Sequence, residues 1–348
     1  MKPLVYFILF SFLLASCAPA STPEPGAVQT VTVITHDSFA IGAETIKAFE
    51  EENNAKVAFL QSGDAGSVLN QAILTKDAPL ADVLFGVDNT FLSRALDSGI
   101  FETYQSPVLS DIPAEYILDG TYHVLPVDYG DVCINYDKKY FAENKLPIPR
   151  SFEELAGAEY KNLLVVENPA TSSPGLAFLL ATHAHFGDGY LVYWQSLKEN
   201  GVVVVDGWET AYYTNFSASS GKGAQTMVVS YASSPAAEVF FAAEPLTESP
   251  TASIVASGMC FRQIEFAGIL KNAQNKLLAQ KFVDFMLSQK FQEDMPLNMF
   301  VYPVNKKAQV PEVFLLHAQV PEDPAVLSSA EIASNRDAWL EAWTEVMK

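Results

Sequence analysis

The chain has 348 residues and carries 41 Asp and Glu against 21 Lys and Arg, a formal net charge of −20. So acidic a chain disfavours nucleic acid and anionic membrane surfaces as partners, because both would repel it. The charge is compatible with a cationic ligand, although many secreted proteins are acidic for solubility alone. The length is sufficient for two lobes.

Residues 1–16 predict a secretory signal peptide. A short apolar run follows Lys2, ends at Leu14 and is too short to be a permanent membrane anchor. Small residues directly before Cys17 resemble the lipobox of bacterial lipoproteins, which implies cleavage there and a lipid anchor, diacylglycerol with palmitate, on Cys17. The alternative is an ordinary signal peptide with an incidental cysteine. Residues 17–30 are rich in Pro, Ser, Thr and Ala, which is typical of a flexible tether.

Strands and helices alternate in the first third of the mature chain. Strands are predicted at 31–35, 57–60 and 81–86, and helices at 44–52, 68–76 and 90–97. This alternation predicts a parallel sheet with right-handed crossovers, and such sheets bind ligands at the carboxyl ends of their strands. Polar segments follow these strands, and their candidate ligand-binding residues are Asp37, Ser38, Gly63, Asp64 and Asp88.

Residues 125–137, LPVDYGDVCINYD, predict the central strand of the chain. An acid, an aromatic residue and a glycine at positions 128–130 suggest a bend where another group approaches the backbone. We interpret the stretch as a strand that crosses between two lobes, with Asp128 and Tyr129 facing a cleft. The alternative is a half-exposed sheet strand that contains a bulge.

The second half of the chain predicts another α/β lobe. Strands at 163–167, 202–205 and 226–230 alternate with helices at 151–155, 176–186 and 190–200. A strand at 259–270 would return to the first lobe, followed by an amphipathic helix at 275–289, a loop at 298–304 and a terminal helix. Lobe 1 is therefore expected to span 31–126, completed by about 266–296, and lobe 2 to span 127–265, with residues 297–348 packing across. Trp339 and Trp343 share one helix face, which indicates packing.

Two cysteines remain if Cys17 carries a lipid. Cys133 and Cys260 both lie in predicted strands, and two cysteines outside the cell are compatible either with a disulfide or with two separate thiols. Neither a Cys-x-x-Cys motif nor a histidine cluster accompanies them, which disfavours a zinc site. We expect no bound metal and no cofactor.

Seven motifs, in this order, resemble the thiamine-binding branch of the periplasmic substrate-binding proteins of ABC importers. They are THDSFA at 35–40, FGVDN at 85–89, PVDYG at 126–130, ENPATSSPGLAFLL at 167–180, GWETAYY at 207–213, VVSYASSPA at 228–236 and VYPV at 301–304. The resemblance covers nearly the whole mature chain. It implies an α/β fold of the two-lobed periplasmic-binding-protein type (type II), with an α/β sheet in each lobe and crossing hinge strands between the lobes. It also implies capture of thiamine or its phosphates in the cleft, and lobe closure over the ligand.

The resemblance further implies delivery of the ligand to an ABC permease, an extracytoplasmic location, a monomer, and no enzymatic activity. Thiamine has a cationic thiazolium ring, an aminopyrimidine and a hydroxyl that can be phosphorylated. A cation over an aromatic face gains about 0.5 to 2 kcal/mol. The residues expected to meet these groups are Trp208, Tyr231, Tyr129 and Phe300 as the aromatic slot, Asp37, Asp88 and Asp128 as acids, and Ser172, Ser173 and the loop 63–67 as donors.

This sequence departs from the family pattern in two places. The family carries a tryptophan where Phe300 aligns and another shortly after its DSFA motif, where residues 41–43 here are Ile-Gly-Ala. Phe300 keeps an aromatic face but lacks an indole N–H. The second wall is missing or supplied elsewhere. Neither donor loop contains a basic residue, so a phosphate would lack a point-charge partner.

Two alternative functions stay open. Tyr212 and Tyr213 resemble the tyrosine pair of ferric-iron-binding proteins of the same fold, in which tyrosinate and carboxylate oxygens bind the metal. A thiaminase-like enzyme would need a nucleophilic cysteine in the cleft, and Cys133 lacks an evident base. GxSxG, HExxH and Walker motifs are absent from the sequence, which disfavours the common hydrolase, zinc-protease and NTPase classes.

Overall fold

The computed structural model describes residues 28–348. The predicted signal peptide, Cys17 and most of the tether lie outside the described residues. Within residues 28–348, no helix combines the length and the apolar character that crossing a membrane would require.

Ten strands form one curled sheet. They are β1 Gln29–Thr35, β2 Ala55–Gln61, β3 Val83–Asp88, β4 Leu125–Asp137, β5 Leu164–Glu167, β6 Val203–Val205, β7 Met227–Tyr231, β8 Thr251–Ile254, β9 Phe261–Ile269 and β10 Tyr302–Pro303. Their order is β2-β1-β3-β9-β4-β7-β5-β6, with β8 and β10 paired to β4. The pairs within β1–β3 and within β5–β7 are parallel, as predicted for the two α/β units. The boundaries of the two lobes stay a prediction.

β4 and β9 join the two parallel groups. The first half of β4 pairs antiparallel with β9, and its second half pairs with β7 and β8. The predicted bounds of the central strand are confirmed, but its register irregularity falls between Pro126 and Asp128. Gly130 is required because a β-carbon there would lie 2.7 Å from the ring of Tyr231. The group that approaches the backbone at this point is therefore an aromatic ring.

Fourteen α-helices surround the sheet in the described part of the chain. They are α1 Ala43–Asn53, α2 Ala65–Leu74, α3 Leu92–Asp97, α4 Lys138–Asn144, α5 Phe152–Leu155, α6 Ser173–Phe186, α7 Tyr190–Glu199, α8 Trp208–Thr210, α9 Ser217–Ser220, α10 Ser234–Phe240, α11 Lys276–Leu287, α12 Gln289–Met299, α13 Glu312–His317 and α14 Ser329–Met347. A π-helical turn at Ala211–Asn215 continues α8, and short 3-10 helices lie at Pro107–Asp111, Ala114–Tyr116, Ala158–Tyr160 and Gly187–Gly189.

Several predicted element boundaries are wrong for local reasons. Helix α2 begins at Ala65 and not at 68, because the Asp64 carboxylate accepts the N–H of Ala65 and caps the helix. The predicted helix at 275–289 is two helices, since Ser288 is extended, ends α11 and caps α12. The predicted loop at 298–304 therefore begins inside α12. Asp88 is the last residue of β3 and does not lie in a loop after it.

Two large apolar clusters stabilise the sheet on its two faces. One contains Trp194 and Phe178 together with side chains of β4 and β9, and the other contains Phe49, Phe85 and Phe282. The terminal helix α14 packs on the first cluster, where Trp343 meets Trp194 edge to face at 5.5 Å. Trp339 lies over His183 with ring centroids 3.9 Å apart. Both indoles are packing residues, as predicted.

Cys133 and Cys260 form a disulfide, with their Cα atoms 4.3 Å apart. Cys133 lies in β4, and Cys260 directly precedes β9, so the bond joins the two strands that connect the parallel groups. Both residues are fully buried. A buried, oxidised Cys133 does not offer the nucleophile that a thiaminase-like mechanism requires.

We expect the double variant Cys133→Ser/Cys260→Ser to unfold more easily, because the bond closes a long loop of 127 residues in sequence separation. The expected loss in the free energy of unfolding is about 2–5 kcal/mol, the range for removal of a native disulfide. Guanidinium titration followed by circular dichroism measures it. If the variant matched the wild type, and the wild type were equally insensitive to reductant, the bond would not contribute to stability.

Candidate functional site

One cavity of about 210 Å³ collects residues that follow strands from both parallel groups. His36 and Ser38 follow β1, Asp64 follows β2, Trp208 follows β6 and Tyr231 ends β7. The full lining is His36, Ser38, Ala40, Asp64, Ser173, Pro174, Trp208, Glu209, Tyr212, Tyr213, Tyr231, Ser234, Ala237, Phe241, Glu265, Asn298, Met299, Phe300 and Val301. The lining combines aromatic rings with the carboxyl side chains of Asp64, Glu209 and Glu265.

Trp208 and Tyr231 face the same cavity, with ring centroids 6.4 Å apart and an angle of 65° between the ring planes. The indole N–H of Trp208 donates to the Ser230 hydroxyl at 2.9 Å. Tyr212 stacks on the other side of the indole at 5.1 Å. These contacts fix the orientation of Trp208 before any ligand enters, which lowers the entropy cost of binding.

Phe300 forms a second part of the wall. Its backbone is left-handed, with φ 54°, and its ring stacks on Phe314 at 5.6 Å. Phe241, from the end of α10, lies 5.3 Å from Phe300 and lines the same cavity. Phe241 was not predicted from the sequence, although two adjacent phenylalanines at 240–241 in a polar stretch were a usable signal.

Tyr212 and Tyr213 line this cavity too. The predicted thiamine site and the alternative ferric-iron site are therefore the same cavity. The Tyr212 hydroxyl donates to Glu238 at 2.6 Å. Burial, followed by the charge of Glu238, raises the pKa of Tyr212 well above its usual value. Tyr212 is therefore held as a neutral donor, whereas a ferric ion requires tyrosinate. Among residues 28–348, no group of three or more His, Cys, Asp and Glu side chains is arranged to hold a metal.

Asp64 ties two loops together at the polar end of the cavity. It accepts the N–H of Ala65 at 2.7 Å and the N–H of Trp208 at 3.1 Å. Burial raises the pKa of Asp64, and these two N–H groups oppose that shift. Ser173 begins α6 and lines the cavity, whereas Ser172 is buried behind it. Gly63 is exposed outside the lining.

Glu265 supplies the acidic floor of the cavity and was missed in the sequence. It lies in β9 directly opposite Asp88 of β3 on one side and Asp128 of β4 on the other. Both aspartates are fully buried behind it and do not line the cavity. Burial raises the pKa of Asp88 to about 7. Burial, followed by the charge of Glu265, raises the pKa of Asp128 well above its usual value.

A hydrogen-bonded chain links the aromatic wall to these acids. The Tyr231 hydroxyl donates to the Gln263 side-chain oxygen at 3.0 Å, and the Gln263 amide donates to Asp88. Gln263 is two residues before Glu265 on the same face of β9. Rotation of the Tyr231 ring would therefore break a contact that holds the buried acid.

His36 lies at 3.4 Å from Glu265, measured from Nε2 to the nearer carboxylate oxygen, without hydrogen-bond geometry. Its ring packs on Gly86, where φ is +101° and a β-carbon would lie 2.3 Å from the imidazole. Burial opposes the charged form of His36, but the acids around it, Glu265 first and then Asp64 and Asp37, together outweigh burial and raise the His36 pKa. The motif THDSFA predicts Asp37 as an acid of the site, but Asp37 is exposed and lies outside the cavity lining.

Tyr129 lies away from the cavity. Its ring is stacked between Tyr116 at 5.1 Å and Tyr302 at 5.3 Å, with the Arg262 guanidinium 5.1 Å from the ring centre. Arg262 also forms two hydrogen bonds of 2.9 Å with Asp131. Of the twelve predicted ligand-binding residues, the structure brings together Ser38, Asp64, Ser173, Trp208, Tyr231 and Phe300. It does not bring Asp37, Gly63, Asp88, Asp128, Tyr129 or Ser172 to the lining.

We expect Asp128→Asn to stabilise the ligand-free protein at pH 8. Neither Asp128 oxygen has a hydrogen-bond partner, and the raised pKa means that the stability Asp128 contributes is lost as pH rises through its folded-state value. The gain should be on the order of 1 kcal/mol and should shrink toward pH 5. Thermal unfolding at both pH values measures it.

Asp131→Asn is the matched control. It lies on the same strand but on the opposite face, paired with Arg262, so its loss should destabilise the protein at both pH values. A destabilising effect of Asp128→Asn at pH 8, equal to that of Asp131→Asn, would contradict the expectation.

The chain is similar to several known proteins along most of its length. The family described as "Bacterial extracellular solute-binding protein" matches residues 78–319. The "Thiamine-binding periplasmic protein" of Escherichia coli strain K12 is 32% identical over 342 residues, 95% of this chain and 98% of that protein. The solved structure titled "Periplasmic thiamin binding protein" has a TM-score of 0.80 at 29% identity and covers 94% of this chain and 100% of its own.

A ferric binding protein from Campylobacter jejuni has a TM-score of 0.73 at 20% identity, covering 91% of this chain and 99% of its own, which shows the shared fold alone. The architecture is thus that of the two-lobed periplasmic binding proteins, as the sequence predicted. This chain belongs to the family of bacterial extracellular solute-binding proteins.

Proposed function

We propose that this protein captures thiamine or a thiamine phosphate outside the cytoplasm and delivers it to an ABC transporter. The observation that carries the proposal is the pairing of a fixed aromatic wall, Trp208 and Tyr231, with the carboxyl group of Glu265 in one cavity. The relative from Escherichia coli and the solved thiamin binding protein support the same ligand.

The aromatic side chains of Trp208 and Tyr231 and the carboxyl group of Glu265 suit a ligand that contains a thiazolium ring and a pyrimidine ring. Aromatic faces attract a fixed cation and also stack on a pyrimidine ring. The Glu265 carboxylate adds a negative potential that water screens poorly at this depth. The Ser173 hydroxyl, at the start of α6, and Ser38 are polar partners for the ligand hydroxyl or amine.

The charge of the lining sets the expected preference among thiamine forms. Three carboxyl side chains line the cavity, those of Asp64, Glu209 and Glu265, and neither Lys nor Arg is among the lining residues. A phosphate at the start of α6 would gain from backbone N–H groups but would be repelled by these acids. We therefore propose that thiamine binds more tightly than its diphosphate.

We further propose that the protein is a monomeric carrier and not an enzyme, and that Cys17 holds it to the membrane. The non-enzymatic role is supported by the relatives, which are binding proteins by name. The anchor is supported by the lipobox-like sequence alone. A ferric carrier is less well supported, because Tyr212 is already bonded to Glu238.

Isothermal titration calorimetry on residues 27–348, unfolded and refolded to remove bound ligand, tests the proposal. Thiamine should bind below micromolar, followed by its monophosphate and diphosphate, while ferric citrate should not bind. Trp208→Ala should weaken thiamine binding by roughly 2- to 30-fold, the equivalent of one cation–π contact. Trp208→Phe, which keeps the ring face, should lose less.

Trp339→Phe is the control for aromatic substitution outside the cavity, since Trp339 packs on His183. It should leave the affinity for thiamine unchanged. Absence of thiamine binding at millimolar concentration, with iron taken up instead, would overturn the proposal and assign the cavity to Tyr212 and Tyr213.

The anchor is tested on the full chain in a bacterial host. We expect the wild type to fractionate with membranes and to incorporate labelled palmitate, and Cys17→Ser to do neither. Thiamine binding should be equal in both, since residue 17 lies far in sequence from the cavity lining. Soluble, unlabelled wild-type protein would show that the cysteine is incidental.

A further inference from the structure

Three carboxyl groups form a row across three neighbouring strands. The strand register places Glu265 of β9 directly opposite Asp88 of β3 and directly opposite Asp128 of β4. Side chains that are directly opposite share one face of the sheet, with Cβ atoms roughly 4.5–5.5 Å apart. The exposed fractions are 0% for Asp88, 6% for Glu265 and 0% for Asp128. Like charges so placed repel each other strongly when they are buried.

Few groups offset this charge. The titratable and charged residues that face the row from the surrounding elements are His36 after β1, Asp64 before α2, Tyr231 at the end of β7 and Arg336 of α14. Among the described residues, His36 makes the ion-pair contact with Glu265, with Nε2 3.4 Å from the carboxylate. Asp88 already accepts hydrogen bonds from the N–H and hydroxyl of Thr90, whereas both Asp128 oxygens have no partner.

The His36 imidazole and the Arg336 guanidinium, which is itself paired with Asp337, do not neutralise three buried carboxylates, so the ligand-free row holds at least one proton. If that proton is on Asp128, its O–H can donate to Glu265. This gives the otherwise unpartnered Asp128 a hydrogen bond and removes one negative charge from the row. Glu265 is the only member of the row that lines the cavity. It is therefore the point at which a ligand and the shared proton compete.

We propose that binding of a cationic ligand in this cavity releases a proton from the Asp88–Glu265–Asp128 row to solvent. The ligand brings one positive charge, the O–H bond of the shared proton breaks, and the proton leaves to buffer, so the charge of the closed site is unchanged. Asp128 then stays ionised beside a cation, in place of being neutralised by its own proton. This inference rests on the proposed cationic ligand.

The sign of the pH dependence follows from the release. Burial raises the pKa of Asp88 to about 7 and that of Asp128 well above the usual range, and a cation nearby lowers both. The ligand-bound form thus holds fewer protons. The affinity for the cationic ligand therefore increases as pH rises through the range in which Asp88 and Asp128 lose their protons. Release of one full proton gives a tenfold gain in affinity per pH unit. Release of half a proton gives about threefold.

The test is calorimetric titration of thiamine into the wild-type protein at about pH 7, in phosphate and in Tris at equal ionic strength. The two buffers differ in ionisation enthalpy. The difference between the two observed binding enthalpies, divided by the difference between the two ionisation enthalpies, gives the number of protons released. We expect between half a proton and one proton. Binding enthalpies that are equal in the two buffers would overturn the proposal.

Variants locate the proton. Asp128→Asn and Glu265→Gln should each reduce the count toward zero and flatten the rise of affinity with pH, with folding checked by circular dichroism. Asp131→Asn, on the opposite face of β4, should keep the wild-type count. Thiochrome, a neutral oxidised form of thiamine, should bind without proton release. An unchanged count in both row variants would place the proton elsewhere and contradict the assignment.

The outcomes separate this inference from the proposed function. If thiamine does not bind at all, the function fails and the row has no cation to respond to. If thiamine binds and the enthalpy does not depend on the buffer, the function stands and the proton coupling is refuted.

Discussion

The antiparallel pairing of β4 with β9 is the constraint on which the other features depend. At one end of the pair the disulfide between Cys133 and Cys260 joins the strands. Further along the same pair Asp128 lies opposite Glu265. Every residue between them alternates between two faces, so Gly130 and Gln263 share the cavity side, and Asp131 and Arg262 share the opposite side. A one-residue slip would exchange these faces.

The two faces of the β4–β9 pair differ in how their buried charges are neutralised. On the far side, Arg262 neutralises Asp131 with two hydrogen bonds and covers the ring of Tyr129. On the cavity side three acids lie in a row, and His36 Nε2 lies 3.4 Å from the Glu265 carboxylate. The free-energy cost of burying these carboxyl groups is offset by the large apolar clusters on both sides of the sheet. Such local destabilisation is typical of binding sites, where an incoming ligand removes it.

The sequence predicted the strands better than it predicted which side chains share the site. β4 was found at both ends because its apolar pattern is local, and the parallel groups followed from the alternation of strands and helices. The orientation of Asp128 and Tyr129 was not readable, because alternation depends on a register irregularity between Pro126 and Asp128. Glu265 was overlooked for a related reason. An acid inside an apolar strand identifies a site only once its cross-strand partners are known, and those partners are 137 and 177 residues away in sequence (265 − 128 and 265 − 88).

The packing around position 42 and Trp208 bears on the two tryptophans of the family pattern that this sequence lacks. At position 42 the N–H of Gly42 donates to Asp294 at 2.7 Å, and a β-carbon there would lie 2.7 Å from the same carboxylate, so any larger residue would have to displace the Asp294 side chain. The Asp294 carboxylate of α12 therefore occupies the space beside position 42. The aromatic surface comes instead from the other side, where Tyr212 stacks on Trp208 and Tyr213 meets it edge to face at 5.4 Å. The tyrosine pair that suggested an iron site thus acts as the support of the indole. The Tyr212 hydroxyl donates to Glu238, which holds that support in place.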